Sequence, residues 1–460
     1  RFRQTRETSK SRTTLLYWCS KGYQKTRRTG KIVRMSKLLS SLTNLFKLKD
    51  LRKRFFFTLG ILALYRFIAH VPAPGVNLEA VKALFSGSAF LSLIDIFSGG
   101  TLANFSILAL GIGPYITASI IFNLLSMSIP SLKELGKEGE YGREKLNQYT
   151  RLVTLPICLL QGFFLILVLG RQSLTTTTNP LAMASLLITL TAGTMLVIWL
   201  GEQLTQYGLG NGISLIIFAG IVGRLPLSFA QAGVTVDGSQ ISQMIVLGLL
   251  ALAVIYLVVK TSEAVRPVPI QSARRSTKNL NQSASYLPIR LYQDGFLPII
   301  FAVSIMSLPG MLGRFLASSP SASLSGLANF LNQNLSPTSS FYSLLYFGLV
   351  FMFTYLYTTV RFNPEEISKD LRSSGSFIPG IRPGPSTSEY LLKLINRITP
   401  VGAAFLGLIA ILPSLASKVT NINNFTVGGT SLLIVVSVVL ELTRTLESQL
   451  SMHDYDKFIK

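Results

Sequence analysis

Phe97-Ser-Gly-Gly-Thr-Leu-Ala-Asn-Phe-Ser-Ile-Leu-Ala-Leu-Gly-Ile-Gly-Pro-Tyr115 is an apolar stretch interrupted by glycine near both ends. Its apolar part before Gly111 is about ten residues, which reaches roughly 15 Å as a helix, half the thickness of a bilayer's hydrocarbon core. Gly111, Gly113 and Pro114 then break or kink the chain before a full-length apolar run begins. A half-helix at membrane depth has to be buried in protein or line a watery cavity, because lipid cannot satisfy its free backbone ends. An interfacial helix outside the membrane is the other reading, and spacing alone leaves both open.

Working outward, the rest of the chain is built for lipid. It is 49% hydrophobic and only 14% charged, a poor recipe for a water-exposed surface. Residues 181–200, 241–259 and 341–360 hold no Asp, Glu, Lys or Arg, and such runs of about twenty residues match the hydrocarbon core. Apolar runs set against turn and charge signals predict an all-α, polytopic membrane protein. Its ten spans fall near 55–71, 109–128, 152–170, 181–200, 211–227, 241–259, 295–313, 341–360, 398–416 and 429–446.

The net charge of +23 supports this reading, because the basic residues lie between apolar blocks and at the N-terminus. With strict alternation of spans, 37 of the 43 Lys and Arg fall on one side, 17 of them within 1–54. The other side holds Lys82, Arg171, Arg224, Arg314 and Lys418, and Arg66 lies inside the first span. The positive-inside rule then places both termini in the cytoplasm or its organellar equivalent. An odd number of crossings per half forces the second five-helix half to enter the membrane inverted relative to the first. The expected organisation is a basic tail over 1–54, spans 1–5 over 55–227, spans 6–10 over 228–446 and a cytoplasmic tail over 447–460.

Within the tail, Leu38, Leu42, Leu45, Phe46 and Leu48 lie near helical spacing among lysines and arginines, which suits a basic amphipathic helix on an anionic membrane face. A simple positive anchor for span 1 fits the same residues. Residues 1–34 are Arg-, Lys-, Ser- and Thr-rich, like an organellar transit peptide, while Met35 is an alternative start.

Chemistry is not expected. Cys19 and Cys158 have no close partner in sequence, and His70 and His453 lack metal-ligand spacing. No Walker loop, nucleophile elbow or carboxylate pair stands where a reaction needs one. Gly208-Leu-Gly-Asn-Gly212 looks like a phosphate loop without its lysine and reads as a turn entering span 5. No catalytic residue, metal or cofactor is therefore assigned. Arg66 is the one charge well inside a span, whereas ion-coupled carriers need intramembrane titratable groups.

Eight motifs occur in order along the chain: Phe97-Ser-Gly-Gly100, Ala109-Leu-Gly-Ile-Gly-Pro-Tyr-Ile-Thr-Ala-Ser-Ile120, Lys137-Glu-Gly-Glu-Tyr-Gly-Arg143 with Gln148-Tyr-Thr-Arg151, Trp199-Leu-Gly-Glu-Gln203, Gly210-Asn-Gly-Ile-Ser214, Phe362-Asn-Pro-Glu365, Phe377-Ile-Pro-Gly-Ile-Arg-Pro-Gly384 and Gly428-Gly-Thr-Ser-Leu-Leu-Ile434. In these the chain resembles the SecY family of protein-translocation channels from the first span to the last. The resemblance implies two five-helix halves closing like a clamshell around an hourglass pore. Six apolar side chains would form its waist: Ile112, Ile116, Ile213, Ile217, Ile300 and Ile434. Ile112 with Ile116, and Ile213 with Ile217, are i, i+4 pairs sharing a helix face, although spacing does not separate a pore-facing pair from a lipid-facing one.

The same resemblance makes the half-helix over 100–108 an outer plug, in a plug region near 97–108 carried by Gly99, Gly100, Thr101, Leu102, Ala103, Asn104 and Phe105. It sets a lateral gate between spans 2 and 3 on one side and spans 7 and 8 on the other. Loops 261–294 and 361–396 would dock the ribosome or a motor ATPase through Arg382, Arg274 and Arg275. The first loop departs from the family pattern, with two prolines in Val265-Arg-Pro-Val-Pro-Ile270 and few basic residues in 276–283. The implied partners are SecE and SecG type small subunits, a SecA motor or the ribosome, signal sequences of preproteins and membrane lipid. Direct nucleic-acid contact is not expected apart from ribosomal RNA.

The expected function is a non-enzymatic channel that translocates unfolded preproteins and releases transmembrane helices laterally into lipid. A multi-span small-molecule carrier is the alternative, and a poreless assembly scaffold a third class. The expected site is the bacterial inner (plasma) membrane, with the plastid thylakoid membrane as the alternative.

Overall fold

A computed structural model describes residues 48–77, 79, 81, 95, 98–171, 179–224, 241–272, 285–291, 295, 297–317, 322–336, 339–420 and 425–459. The amphipathic segment expected before residue 48, and Arg274 and Arg275, lie outside these residues.

A helix lies at each of the ten places where a crossing is predicted. Spans 1–5 correspond to Lys49–Ile68, Gly113–Ser128, Glu140–Arg171, Pro180–Tyr207 and Gly212–Val222. Spans 6–10 correspond to Ile241–Ser262, Leu297–Ala317, Ser340–Arg361, Pro385–Thr420 and Phe425–Ile459. Among the described residues, four stretches are long and apolar enough to cross a membrane on their own: Glu144–Leu167, Pro180–Tyr207, Ser340–Ser373 and Pro385–Leu412. Span 2 is a bent element, Gly113–Ser126 turning through 107° into Pro130–Gly136. The helix of span 5 has 11 residues, about 16 Å long and shorter than predicted. The residues assigned to the C-terminal tail simply continue the helix of span 10 to Ile459.

Contacts divide the helices into two groups. Span 3 packs on spans 2 and 4, and spans 1, 4 and 5 pack on one another. In the second half, span 8 packs on spans 7 and 9, and spans 6, 9 and 10 pack on one another. The halves meet where span 7 touches spans 2 and 3 and where span 10 touches span 5.

Two devices let polar atoms live in this apolar bundle. Threonine hydroxyls turn back onto their own helix: Thr154 donates to the Thr150 carbonyl at 2.7 Å, Thr191 to Leu187 at 2.8 Å, and Thr354 and Thr358 to Val350 and Thr354 at 2.6 and 2.7 Å. Each hydroxyl is then satisfied without asking anything of the lipid. Close backbone approach is the second device. A Cβ at Gly193 would collide with the Ile107 carbonyl oxygen, and one at Gly212 with the Gly201 carbonyl oxygen. Small residues thus bring span 4 against both the 98–112 segment and span 5.

One sheet is added to the helical fold, in the loops that the charge pattern assigns to the cytoplasm. β1 (Val265–Ser272) lies between β2 (Ser285–Arg290) and β3 (Ser376–Phe377), all antiparallel. Three prolines fit because of register. Pro267 faces Pro288 and Pro269 faces Tyr286, positions of equal parity in the ladder. A Pro–Pro pair has no N–H to exchange, so these are non-hydrogen-bonded pairs, and β3 joins β1 only at Gln271 and Ser272, beyond the prolines. The sheet shares a small core of Val268, Ile289, Ile378, Leu391 and Ile395 with the start of the span 9 helix. Loops that are far apart in sequence thereby become one body.

Gly193→Val is expected to lower the melting temperature of the purified protein in detergent, with overpacking costing about 1–3 kcal/mol. Gly60→Ala, where nothing lies within 4 Å of the added carbon, is the control. Equal melting of the two variants would disprove the tight seat at Gly193.

Candidate functional site

The six isoleucines of the expected waist come from four helices, two in each half. Ile112 caps the span 2 helix and its carbonyl accepts the Ile116 N–H at 3.0 Å. Ile213 and Ile217 lie on span 5, Ile300 on span 7 and Ile434 on span 10. Ile112, Ile116, Ile217, Ile300 and Ile434 are buried members of one apolar cluster, against which the partly buried Ile213 packs. Helices distant in sequence therefore converge on one uncharged apolar cluster, in which these isoleucines lie among other aliphatic and aromatic side chains such as Tyr65, Phe301 and Phe353.

Asn211 explains how span 5 presents its pair. Its side-chain oxygen accepts the backbone N–H groups of Ile213 and Ser214, at 3.1 and 3.4 Å, and so caps the helix. Gly210 before it has φ +83°, a conformation that glycine adopts without steric cost. The Gly208–Gly212 stretch is thus the turn into a span that the missing lysine indicated. A second join links two motifs of the resemblance: Arg151 of span 3 is ion-paired with Glu202 of span 4.

The segment ahead of span 2 differs from expectation. Residues 98–112 form successive turns and no half-helix. Backbone conformation gives the reason: Gly99, Gly100 and Gly111 have φ of +78°, +82° and +56°, and Phe105 has +39°, all incompatible with a right-handed helix. The turns are nonetheless satisfied. Ser98 Oγ accepts the Leu102 N–H, Thr101 Oγ1 donates to the Ser98 carbonyl, and the Ser106 N–H reaches the Thr101 carbonyl. Outside the segment, Ala73 N–H donates to the Phe105 carbonyl at 2.8 Å and Ile107 N–H to the Val71 carbonyl at 3.1 Å. Thr101, Leu102, Ala103 and Phe105 are buried, and Asn104 is half-buried.

Four side chains not singled out for the site by the sequence reading hold this segment. Arg66 Nη1 donates to the Gly99 carbonyl at 2.9 Å, and Tyr65 Oη to the Ser98 carbonyl at 3.4 Å. Arg224, at the end of span 5, is ion-paired with the buried Asp95. Asp95 Oδ1 in turn accepts the Ala103 N–H at 2.7 Å. Two signals for this were present in the sequence: Arg66 and Arg224 are arginines on or near the arginine-poor side, and Asp95 is a lone acid in the apolar run 89–97.

Arg382 is exposed on a loop closed by Gly380 at φ +82° and Gly384 at φ +108°. Its carbonyl accepts the Thr387 hydroxyl at 3.0 Å, and the Gly384 carbonyl accepts the Ser368 hydroxyl at 2.7 Å. The loop is thus pinned from both flanking helices.

Two groups of apolar helices meeting at a central apolar cluster, with a buried non-helical segment packed among them, define a polytopic helical membrane protein. The SecY family model matches residues 106–443. Protein translocase subunit SecY of Staphylococcus carnosus is 39% identical over 437 residues, covering 92% of this chain and 99% of that protein. The SecY subunit of Thermotoga maritima is 41% identical over 430 residues, covering 91% and 97%. A solved structure of a protein conducting channel aligns with TM-score 0.60 at 19% identity, covering 86% of this chain and 92% of that one. Sec61 in the canine ribosome-channel complex aligns at 0.56 and 17%, covering 86% and 92%; at these identities the likeness is one of fold. The chain belongs to the SecY family. It is a multi-pass protein of the cell membrane, and the relatives support protein translocation and not small-molecule carriage as its function.

Ile116→Gly with Ile217→Gly is expected to raise ion leak across planar bilayers holding the protein, since an apolar constriction excludes water and ions only while it stays narrow. Leak equal to the parent's would show that the waist lies elsewhere.

Proposed function

We propose that this chain forms the passage through which unfolded preproteins cross the membrane. The observation that carries this reading is the convergence of six isoleucines from both halves on one uncharged cluster. An aliphatic ring offers a passing peptide no charge and no hydrogen-bond partner, so it guides without holding. When empty, the same ring dewets and opposes ion flow. Such a channel makes and breaks no covalent bond, so the energy comes from a partner.

The plug is the 98–108 segment, held near the outer ends of spans 1 and 5. The lateral gate lies where span 7 meets spans 2 and 3. A signal sequence would part these helices and enter lipid according to its apolar length. Span 10 against span 5 forms the opposite, hinge side of the clamshell. Both termini face the cytoplasm, as the distribution of 43 Lys and Arg supports.

The small sheet and the Arg382 loop make one docking platform for a ribosome or a SecA-type motor. Solved relatives bound to ribosomes, the canine Sec61 complex and the yeast Ssh1 complex, support the ribosome as a class of partner. Small SecE- and SecG-type subunits complete the assembly at the lipid-facing surface.

Depletion of the protein from its cells is expected to make secretory precursors accumulate, read by pulse labelling. Unchanged precursor levels would refute the export function. Purified protein in vesicles should take up no small solute without a motor or ribosome, and uptake would favour a carrier. Arg382→Glu should slow translocation by about tenfold at unchanged abundance, the effect of roughly 1.4 kcal/mol lost at a docking contact. Normal export in that variant would remove Arg382 from the platform.

A further inference from the structure

Asp95 has 1% of its side chain exposed and sits in an apolar part of the molecule. A carboxylate so buried is costly unless it is paired and hydrogen-bonded. Here one oxygen faces Arg224 and the other accepts the Ala103 N–H at 2.7 Å, with Ser98 Oγ at 3.4 Å. Asp95 therefore ties the chain entering the plug to the plug's own middle, and Arg224 ties both to span 5. Arg66 adds a third tie from span 1 to the Gly99 carbonyl.

The fit around these groups is close. A Cβ at Gly99 would lie 2.6 Å from Tyr65 Oη and 2.9 Å from Gly220 Cα, and one at Gly100 would lie 3.0 Å from Arg224 Cδ and Nε. Glycine at 99 lets the segment settle against Tyr65 and Gly220, and glycine at 100 lets Arg224 lie alongside it. Both arginines also sit where the charge pattern of the chain disfavours them, so topology does not account for their presence.

We propose that Asp95, Arg224 and Arg66 form a charged latch that positions the plug in the closed channel, and that the strength of this latch sets how good a signal sequence must be to open it. The inference rests on the reading of 98–108 as the plug. Opening withdraws the segment from spans 1 and 5, and the Arg224–Asp95 pair is the contact that must break or travel with it. Spans 2 and 7 supply none of these three side chains, so the latch belongs to the first half. A substrate that parts span 7 from spans 2 and 3 leaves the latch intact until the plug itself moves. Latch and gate are then two separate thresholds, and weakening the latch lowers one without altering the other.

The test uses the complete protein with its partner subunits, in planar bilayers and in cells exporting a reporter with a shortened signal core. Asp95→Asn and Arg224→Gln are each expected to raise resting ion current and export of the crippled reporter by about tenfold, the change given by roughly 1.4 kcal/mol of lost closed-state preference. The double variant should be no worse than the worse single one, because removing both partners leaves no charge stranded. Arg224→Lys, which keeps the charge, should stay near the parent. Unchanged current and export in both single variants, or a double variant whose effects multiply, would overturn the latch. If Asp95→Asn does not accumulate, Arg224→Gln against Arg224→Lys decides alone: equal behaviour overturns the proposal, and loss restored by Lys supports it. Deleting 98–108 separates the two readings. Raised current in the deletion with silent point variants sinks the latch and leaves the plug, whereas parental current in the deletion sinks the plug reading itself.

Discussion

Backbone that is not helical has to find hydrogen-bond partners inside the protein when it is buried, and residues 98–112 place that demand within the first half of this fold. The segment cannot be a helix, because glycines and Phe105 hold positive φ at four points. Several of its amides and carbonyls pair with its own serine and threonine hydroxyls, with residues 71–73, with the Asp95 carboxylate, and with Arg66 and Tyr65 of span 1. Span 4 offers Gly193 to admit the Ile107 carbonyl, and span 5 offers Gly220 to admit Gly99. Spans 1, 4 and 5 are thereby shaped around one irregular stretch.

The central apolar cluster follows from that placement. Ile112 closes the irregular segment and opens the span 2 helix, so its position is set by the turns before it and the helix after it. Ile213 and Ile217 depend similarly on the Asn211 cap and on the approach of Gly212 to Gly201. Spans 7 and 10 then bring Ile300 and Ile434 to the same cluster from the second half. The uncharged cluster is positioned by backbone geometry at its edges and filled by hydrophobic burial.

At the other end of the molecule the same economy joins two loops. Prolines that ordinarily disqualify a strand sit at non-bonded ladder positions, and β3 arrives only where the prolines end. The result is a shared base for the exposed Arg382 loop, with Ile378, Leu391 and Ile395 anchoring it to the start of span 9.

Long apolar runs, the sorting of lysines and arginines, the glycine breaks before span 2 and the motifs of the SecY family were all legible in the sequence. They are local quantities, set by hydropathy, charge and the φ freedom of glycine. The sequence by itself therefore determined where the long helices lie and that the backbone breaks before span 2. Only the tertiary structure decided that 98–112 turns instead of forming a half-helix, that Asp95 meets Arg224, and that loops about a hundred residues apart share a sheet. Each of these depends on what another part of the chain supplies: a carbonyl to receive Arg66, a cation to neutralise a buried carboxylate, an edge to accept β3. Periodicity carries no record of such long-range partners, because pairing energy arises from atoms brought together by packing and not from the order in which they are joined.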